Sequence, residues 1–130
     1  MDIHRKTIAL SIGLGLIGLL AGCNTASEIT VKGAVTFEGT PVETGEILFI
    51  PADGTGPVSA GPISNGEFSF IATPGEKKVE ITANRVGDKP APDGLPNYIP
   101  YIPAKYNTQT TLTKTVENKA ENVYTFDLKK

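Results

Sequence analysis

Ile29-Thr30-Val31-Lys32-Gly33-Ala34-Val35-Thr36-Phe37-Glu38-Gly39-Thr40-Pro41 is the stretch on which the fold turns. Ile29, Val31, Gly33, Val35 and Phe37 alternate with Thr30, Lys32, Ala34, Thr36 and Glu38. A strand projects successive side chains to opposite faces, so this period of two predicts a half-buried strand. Glu38-Gly39-Thr40-Pro41 then reads as a turn, with Gly and Pro supplying the special backbone angles.

The same grammar continues downstream. Gly45-Glu46-Ile47-Leu48-Phe49-Ile50-Pro51 predicts a second strand, apolar on both faces and stopped by proline. Asp53-Gly54-Thr55-Gly56-Pro57 is a loop, and Ser64-Asn65-Gly66 is a tight turn into Glu67-Phe68-Ser69-Phe70-Ile71. Thr73-Pro74-Gly75 turns the chain into a strand over Lys77–Ala83, with Val79 and Ile81 on one face. Lys77 shares their parity, so its stem is expected across the core edge with the ammonium in water. From Asn84 to Asn107 periodicity fades among Pro90, Pro92, Pro96, Pro100 and Pro103, which predicts a long ordered crossing or flap. Two last strands are expected around Thr111–Val116 and Val123–Leu128, joined by the polar turn Glu117–Asn122. About seven short strands with regular turns define an all-β chain, read as an antiparallel β-sandwich.

Several of these runs carry a family likeness. Val31-x-Gly33-x-Val35, Gly39-Thr40-Pro41-Val42 and Gly45-x-Ile47-x-Phe49-x-Pro51 resemble the opening of carboxypeptidase regulatory-like domains. Gly66-x-Phe68-x-Phe70 followed by Pro74-Gly75-x-x-x-Val79-x-Ile81 is similar as well, although Lys77 stands where that family often has an aromatic. The tail Ile102-Pro103-Ala104-Lys105-Tyr106-Asn107, with Thr111-Leu112-Thr113 and Val116, is similar to short bacterial lipoproteins carrying this domain alone. The resemblance implies a Greek-key, transthyretin-like (prealbumin-like) sandwich and no catalysis. Such domains accompany enzymes or sit on surfaces as binding or spacer modules.

The amino-terminal residues are of another kind. Arg5 and Lys6 precede an apolar run from Ile8 to Leu20, closed by Leu20-Ala21-Gly22-Cys23. That run is short for a bilayer span, which takes about 20 residues, and has the three-part form of an export signal. Leu20-Ala21-Gly22-Cys23 resembles the lipobox of bacterial lipoproteins, in which the Cys23 thiol is alkylated by diacylglyceryl and the leader is cut just before it. Small Ala21 and Gly22 suit a narrow peptidase site. Two or more acyl chains, at about 0.8 kcal/mol per buried CH₂, make such an anchor stable. The expected organisation is therefore a helical signal peptide over 1–22, a lipidated tether over 23–27 and a β-domain over 28–130. Gly13-Leu14-Gly15-Leu16-Ile17-Gly18 matches a dinucleotide fingerprint in letters only, because it follows no strand and lies inside the leader. Asn24 stands where some bacteria place an Asp that retains lipoproteins at the inner membrane, which points toward the outer membrane. The expected location is the cell envelope, facing the periplasm or beyond rather than the cytoplasm.

Composition narrows the chemistry. Beyond residue 22 the chain carries 10 Lys and Arg against 13 Asp and Glu. A mildly acidic domain without a basic stripe is a poor nucleic-acid binder, so nucleic acid is excluded as a partner. His4 is the one histidine and Cys23 the one cysteine, both at or before the lipobox. A Ser-His-Asp triad, a Cys-His pair and a His-containing zinc site therefore have no residues to use in the domain. Asp53, Asp88 and Asp93 lack the close acidic spacing of a calcium loop and read as solvated turn residues. The expectation is a non-enzyme with no cofactor and no metal. Tyr98, Tyr101 and Tyr106, three tyrosines within nine positions, are the most informative side chains. They can form an aromatic platform for a sugar or a Pro-rich peptide, or they can fold over the core edge with hydroxyls in water. Ile99 and Ile102 beside them, and the need of a small domain for aromatic area, favour the covering role. The function expected is that of a lipid-anchored envelope protein with an adhesion, spacer or ligand-binding module, meeting envelope proteins or glycans. A carbohydrate-binding module built on Tyr98–Tyr106 is the alternative.

Overall fold

The computed structural model describes residues 28–130. The Cys23 lipobox, with Leu20, Ala21 and Gly22, lies outside the described residues, as does the leader. Glu28 onward is all-β. Its strands are β1 (Ile29–Phe37), β2 (Thr40–Pro41), β3 (Thr44–Pro51), β4 (Ser59–Ser64), β5 (Glu67–Ala72), β6 (Gly75–Val86), β7 (Tyr98–Pro100), β8 (Thr113–Val116) and β9 (Glu121–Leu128). One 3-10 turn, Ala104–Tyr106, interrupts them.

The strands form a curled sheet in the order β9-β1-β5-β4-β3-β6, with β7 and β8 both on the far side of β6 and β2 beside the end of β1. The curl makes a half-barrel whose concave side holds the core. Ile29, Val31 and Val35 from β1, Ile47 and Phe49 from β3, and Val79 and Ile81 from β6 are fully buried there. Alternation along each strand puts these apolar side chains inside and leaves Lys32, Glu46 and Lys78 outside. Leu48 and Ile50, the second apolar face of β3, are only half-buried. Aromatic edges lock the two halves of the curl: Phe49 meets Phe70 edge-on at 5.2 Å, and Phe68 lies 6.0 Å from Phe126.

Two hairpins are set by two-residue turns in which both residues take positive φ. Glu38 and Gly39 (φ 50° and 80°) join β1 to β2, and Asn65 and Gly66 (φ 51° and 78°) join β4 to β5. Such left-handed pairs match the twist of the flanking strands, and Gly accepts the geometry without steric cost.

All pairings are antiparallel except one. β1 and β9 run parallel over Thr30↔Glu121 to Phe37↔Leu128, so the purely antiparallel sheet expected from the sequence is corrected here. The cause is the route of the chain. β8 pairs with β6 at the opposite margin of the sheet, and the turn after Val116 returns the chain along β1 in the direction of β1 itself. At the contact, Gly33 faces Tyr124, and a methyl group on Gly33 would collide with the Tyr124 carbonyl oxygen. A Lys32–Glu121 ion pair at 2.9 Å and a Thr36 hydroxyl donating to Asp127 at 2.9 Å add exposed links between the two strands.

The proline-rich segment also departs from expectation. β6 runs on to Val86, and Tyr98–Pro100 returns as β7 against Asn84–Val86, so the segment from Asn84 to Asn107 is part sheet rather than wholly a flap. Beyond β7 the chain follows the edge of β6 down to β8. Buried backbone groups need partners, and the chain meets that need with irregular geometry. The Tyr101 amide donates to the Ala83 carbonyl (3.2 Å), and the Val79 amide donates to Leu112 (2.9 Å). Between them side chains replace the ladder: Asn107 Nδ2 donates to the Ile81 carbonyl at 3.2 Å and the Thr110 hydroxyl donates to the Val79 carbonyl at 2.6 Å.

Smaller differences follow from packing. β4 was not legible in the sequence, and β8 and β9 start at Thr113 and Glu121. Lys77 is 2% exposed, and its ammonium donates to the Thr73 hydroxyl at 2.9 Å instead of reaching water. The fold is polar in the geometric sense. Ile29, Ala72, Gly75, Val116 and Glu121 meet at one end of the half-barrel, while Phe37, Thr44, Val86 and Leu128 meet at the other. With nine residues in β1, the two ends stand about 30 Å apart at about 3.3 Å per residue.

Candidate functional site

A cleft of about 1120 Å³ opens at the end of the domain remote from Glu28. The ends of four elements frame it. β1 and its turn supply Phe37 and Glu38, β3 and the residue before it supply Glu43 to Glu46, the end of β6 supplies Thr82 to Val86, and β7 and its extension supply Tyr98 and Tyr101. Tyr101 packs edge-on against Phe37 with ring centroids 5.7 Å apart, which fixes one side of the cleft. Burial pushes the Tyr101 phenol above its ordinary pKa, and the nearby Glu43 carboxylate adds to the rise. Tyr98 is different, at 64% exposed with its ring toward solvent. Glu38 is occupied, its carboxylate accepting the Lys130 amide at 2.5 Å. Glu43, Glu46 and Arg85 are exposed and belong to no ion pair among the described residues.

The three tyrosines of the sequence thus separate. Tyr98 and Tyr101 share the cleft, whereas Tyr106 lies outside it. The Tyr106 ring packs against the core, lies 5.1 Å beneath the Lys105 ammonium, and its hydroxyl accepts the Lys129 amide at 2.9 Å. Tyr101 and Tyr106 therefore cover the core edge, as the covering role requires, and Tyr98 stands free. A platform of all three tyrosines is not formed. The cleft instead recruits Phe37, Glu43 and Arg85, which no local motif marks, because strand register alone brings β1, β3 and β6 to one place.

The loop between β6 and β7 borders the cleft and is held by its own hydrogen bonds. The Gly87 amide donates to Asn97, Ala91 to Leu95, and Gly94 to Ala91, at 2.7 to 2.9 Å. Asp93 caps it by accepting the Leu95 amide at 3.0 Å. Asp53 does the same for Thr55 at 2.9 Å, and these backbone bonds hold its carboxyl below the usual range. Among the described residues no three His, Cys, Asp or Glu side chains converge as they would to hold a metal ion. No helix of the described residues is long and apolar enough to cross a membrane. What the cleft offers chemically is aromatic surface, two unpaired carboxylates and a guanidinium: groups suited to stacking and hydrogen bonding.

No protein-family model matches this sequence, and no curated protein matches it. Among solved structures, the chain is similar to part of a 9R-lipoxygenase from Cyanothece PCC8801, at 19% identity and a TM-score of 0.42. The likeness covers 78% of this chain and 16% of that enzyme.

Proposed function

We propose that this protein is a non-enzymatic, lipid-anchored component of the bacterial cell envelope, tethered through Cys23 and serving as an adhesion, spacer or ligand-binding module. One observation carries the reading. β1 begins at Ile29, six positions after Cys23, at the end of the half-barrel opposite the cleft. A lipid on Cys23 would then turn the cleft away from the membrane, about 30 Å out along β1. The finer fold reading, a Greek-key sandwich of the transthyretin-like kind, belongs to the same proposal and is supported by the family likeness of its strands and turns. Membrane attachment, an envelope location and the absence of catalysis belong to the same proposal, supported by the lipobox and by a domain sequence without histidine or a second cysteine.

Fractionation of cells expressing wild type and Cys23→Ser tests it. The wild-type chain should sediment with membranes and require detergent for release, whereas the Cys23→Ser chain should lose that detergent-dependent association. Equal membrane retention of both would remove the lipid anchor from the account. A second reading, a carbohydrate-binding module on the Tyr98–Tyr106 segment, is favoured by the meeting of Tyr98 and Tyr101 in one cleft.

A further inference from the structure

We infer that the free edge of β9 is a dimer interface, at which a second copy of this chain adds its own β9 antiparallel, about a two-fold axis between the Val123 residues. The hydrogen bonds of β1 show which groups that edge offers. The Thr30 amide donates to the Ala120 carbonyl at 3.1 Å, and the Glu38 amide to the Leu128 carbonyl at 2.9 Å. The β1–β9 ladder therefore uses the even-numbered residues of β9, among them Tyr124, whose carbonyl lies against Gly33. The amides and carbonyls of Glu121, Val123, Thr125 and Asp127 face the other way, and no strand pairs with them among the described residues. Val123, in the middle of this row, is 60% exposed.

Other margins of the sheet carry guards that β9 lacks. In β7 the Gly87 amide donates to Asn97 and the Tyr101 amide to Ala83, so the even-numbered positions face outward. Pro96 and Pro100 occupy two of them and have no amide to give, which leaves Tyr98 as the one donor between them. On β8, four residues long, the Thr115 carbonyl is taken by the Tyr124 hydroxyl. β9 instead runs for eight residues in unbroken register with β1, without proline or bulge. Long unguarded edges of that kind are templates for another strand.

Charge selects a second copy and its register, since a two-fold interface must be complementary to itself. With the two Val123 residues opposite each other, Glu121 of each copy meets Thr125 of the other, whose hydroxyl can donate to the carboxylate. Asp127 then comes level with the turn that carries Lys119. Each facing pair of outward residues exchanges two backbone hydrogen bonds. Centring on Tyr124 would set Glu121 against Asp127, and like charges directly opposite destabilise a sheet. Centring on Thr125 would call on the Lys129 amide, which the Tyr106 hydroxyl already accepts at 2.9 Å. Within each copy Lys32 holds Glu121 at 2.9 Å and Lys129 holds Asp127 at 3.5 Å, so neither carboxylate guards the edge with unpaired charge.

Sedimentation equilibrium of the full chain in density-matched detergent micelles, over a range of concentrations, tests the interface. A monomer–dimer equilibrium is expected, weakened about tenfold or more by Val123→Lys, which sets two ammonium groups face to face. Val123→Cys in a Cys23→Ser background supplies the geometric readout. Facing residues of such a pair have Cα atoms about 5.5 Å apart, within disulfide reach. Mild oxidation should link that variant into a covalent dimer, whereas Ser69→Cys, exposed on β5 two strands in from the edge, should stay unlinked. Circular dichroism checks that each variant is folded, and the exposure of Val123 gives no reason for it to unfold. Association indifferent to Val123→Lys, or equal linking of both cysteine variants, would overturn the inference. So would a chain monomeric at every concentration, which would leave the edge to an extended segment of another protein. None of these results touches the lipid anchor, which membrane fractionation of Cys23→Ser reads separately.

Discussion

Gly33 shows how one side chain can hold a fold together by being absent. β1 and β9 approach so closely there that a single methyl group meets the Tyr124 carbonyl. Gly33→Ala is therefore expected to destabilise the domain by about 3 kcal/mol, the upper range for forced overpacking, measured as a shift in the urea midpoint. Tyr101 makes a second prediction at this scale. Its phenol pKa is raised by burial and then by Glu43, so the neutral form is the one the fold prefers. Its contribution is complete below the unfolded phenol value of about 10 and is lost as pH climbs through the higher folded value. Thermal unfolding of wild type should weaken above pH about 10, and Tyr101→Phe, which keeps the ring against Phe37, should flatten that decline. An identical alkaline profile in both would remove Tyr101 as a cause. Tyr124, raised first by burial and then by Glu117, sets a residual decline of the same sign in either protein.

At the scale of elements, the edge of β6 is the instructive case. Asn107 and Thr110 serve carbonyls of β6 that β7 and β8 do not reach, and Asn107 also donates to the Pro103 carbonyl at 3.2 Å. Asn107→Ala should cost about 1–3 kcal/mol, the range for leaving a buried acceptor unmet, with fastest gain of amide exchange along Val79–Ala83. Unchanged exchange there would show that the irregular segment does not guard the edge. These elements also mark what was legible in the sequence. β1, β5, β6 and β9 announced themselves by setting apolar residues at period two against one curved core, and β3 by a continuous apolar run stopped at Pro51. β4 did not. Its buried positions are Ser59, Gly61 and Ile63, and Phe70 lies over Gly61 where a larger residue would sit, so its inner face carries little hydrophobic signal. β7 hid among prolines, and its three residues pair only because β6 overruns its expected end at Ala83. The parallel direction of β9 was beyond reach, since alternation is the same whichever way a neighbour runs. For the site, the tyrosines were visible and their separation was not. Which of them covers the core depends on a path fixed by hydrogen bonds to β6, not by spacing.

The whole molecule is organised along one axis. β1 enters the half-barrel at one end with Ile29, and the cleft lies at the other. Exposed ion pairs such as Lys32–Glu121 and Lys119–Glu117 are scattered over the surface, where water screens them, so the fold rests on its apolar concave face. The account stands on the anchor, and intact mass of the membrane-extracted protein, wild type against Cys23→Ala, tests it most directly. A chain beginning at residue 23 with added diacylglyceryl and acyl mass, absent in the variant, is the result predicted. An unmodified mass that still includes residues 1–22 would contradict it, leaving an uncut apolar terminus and a free thiol in place of a lipid tether.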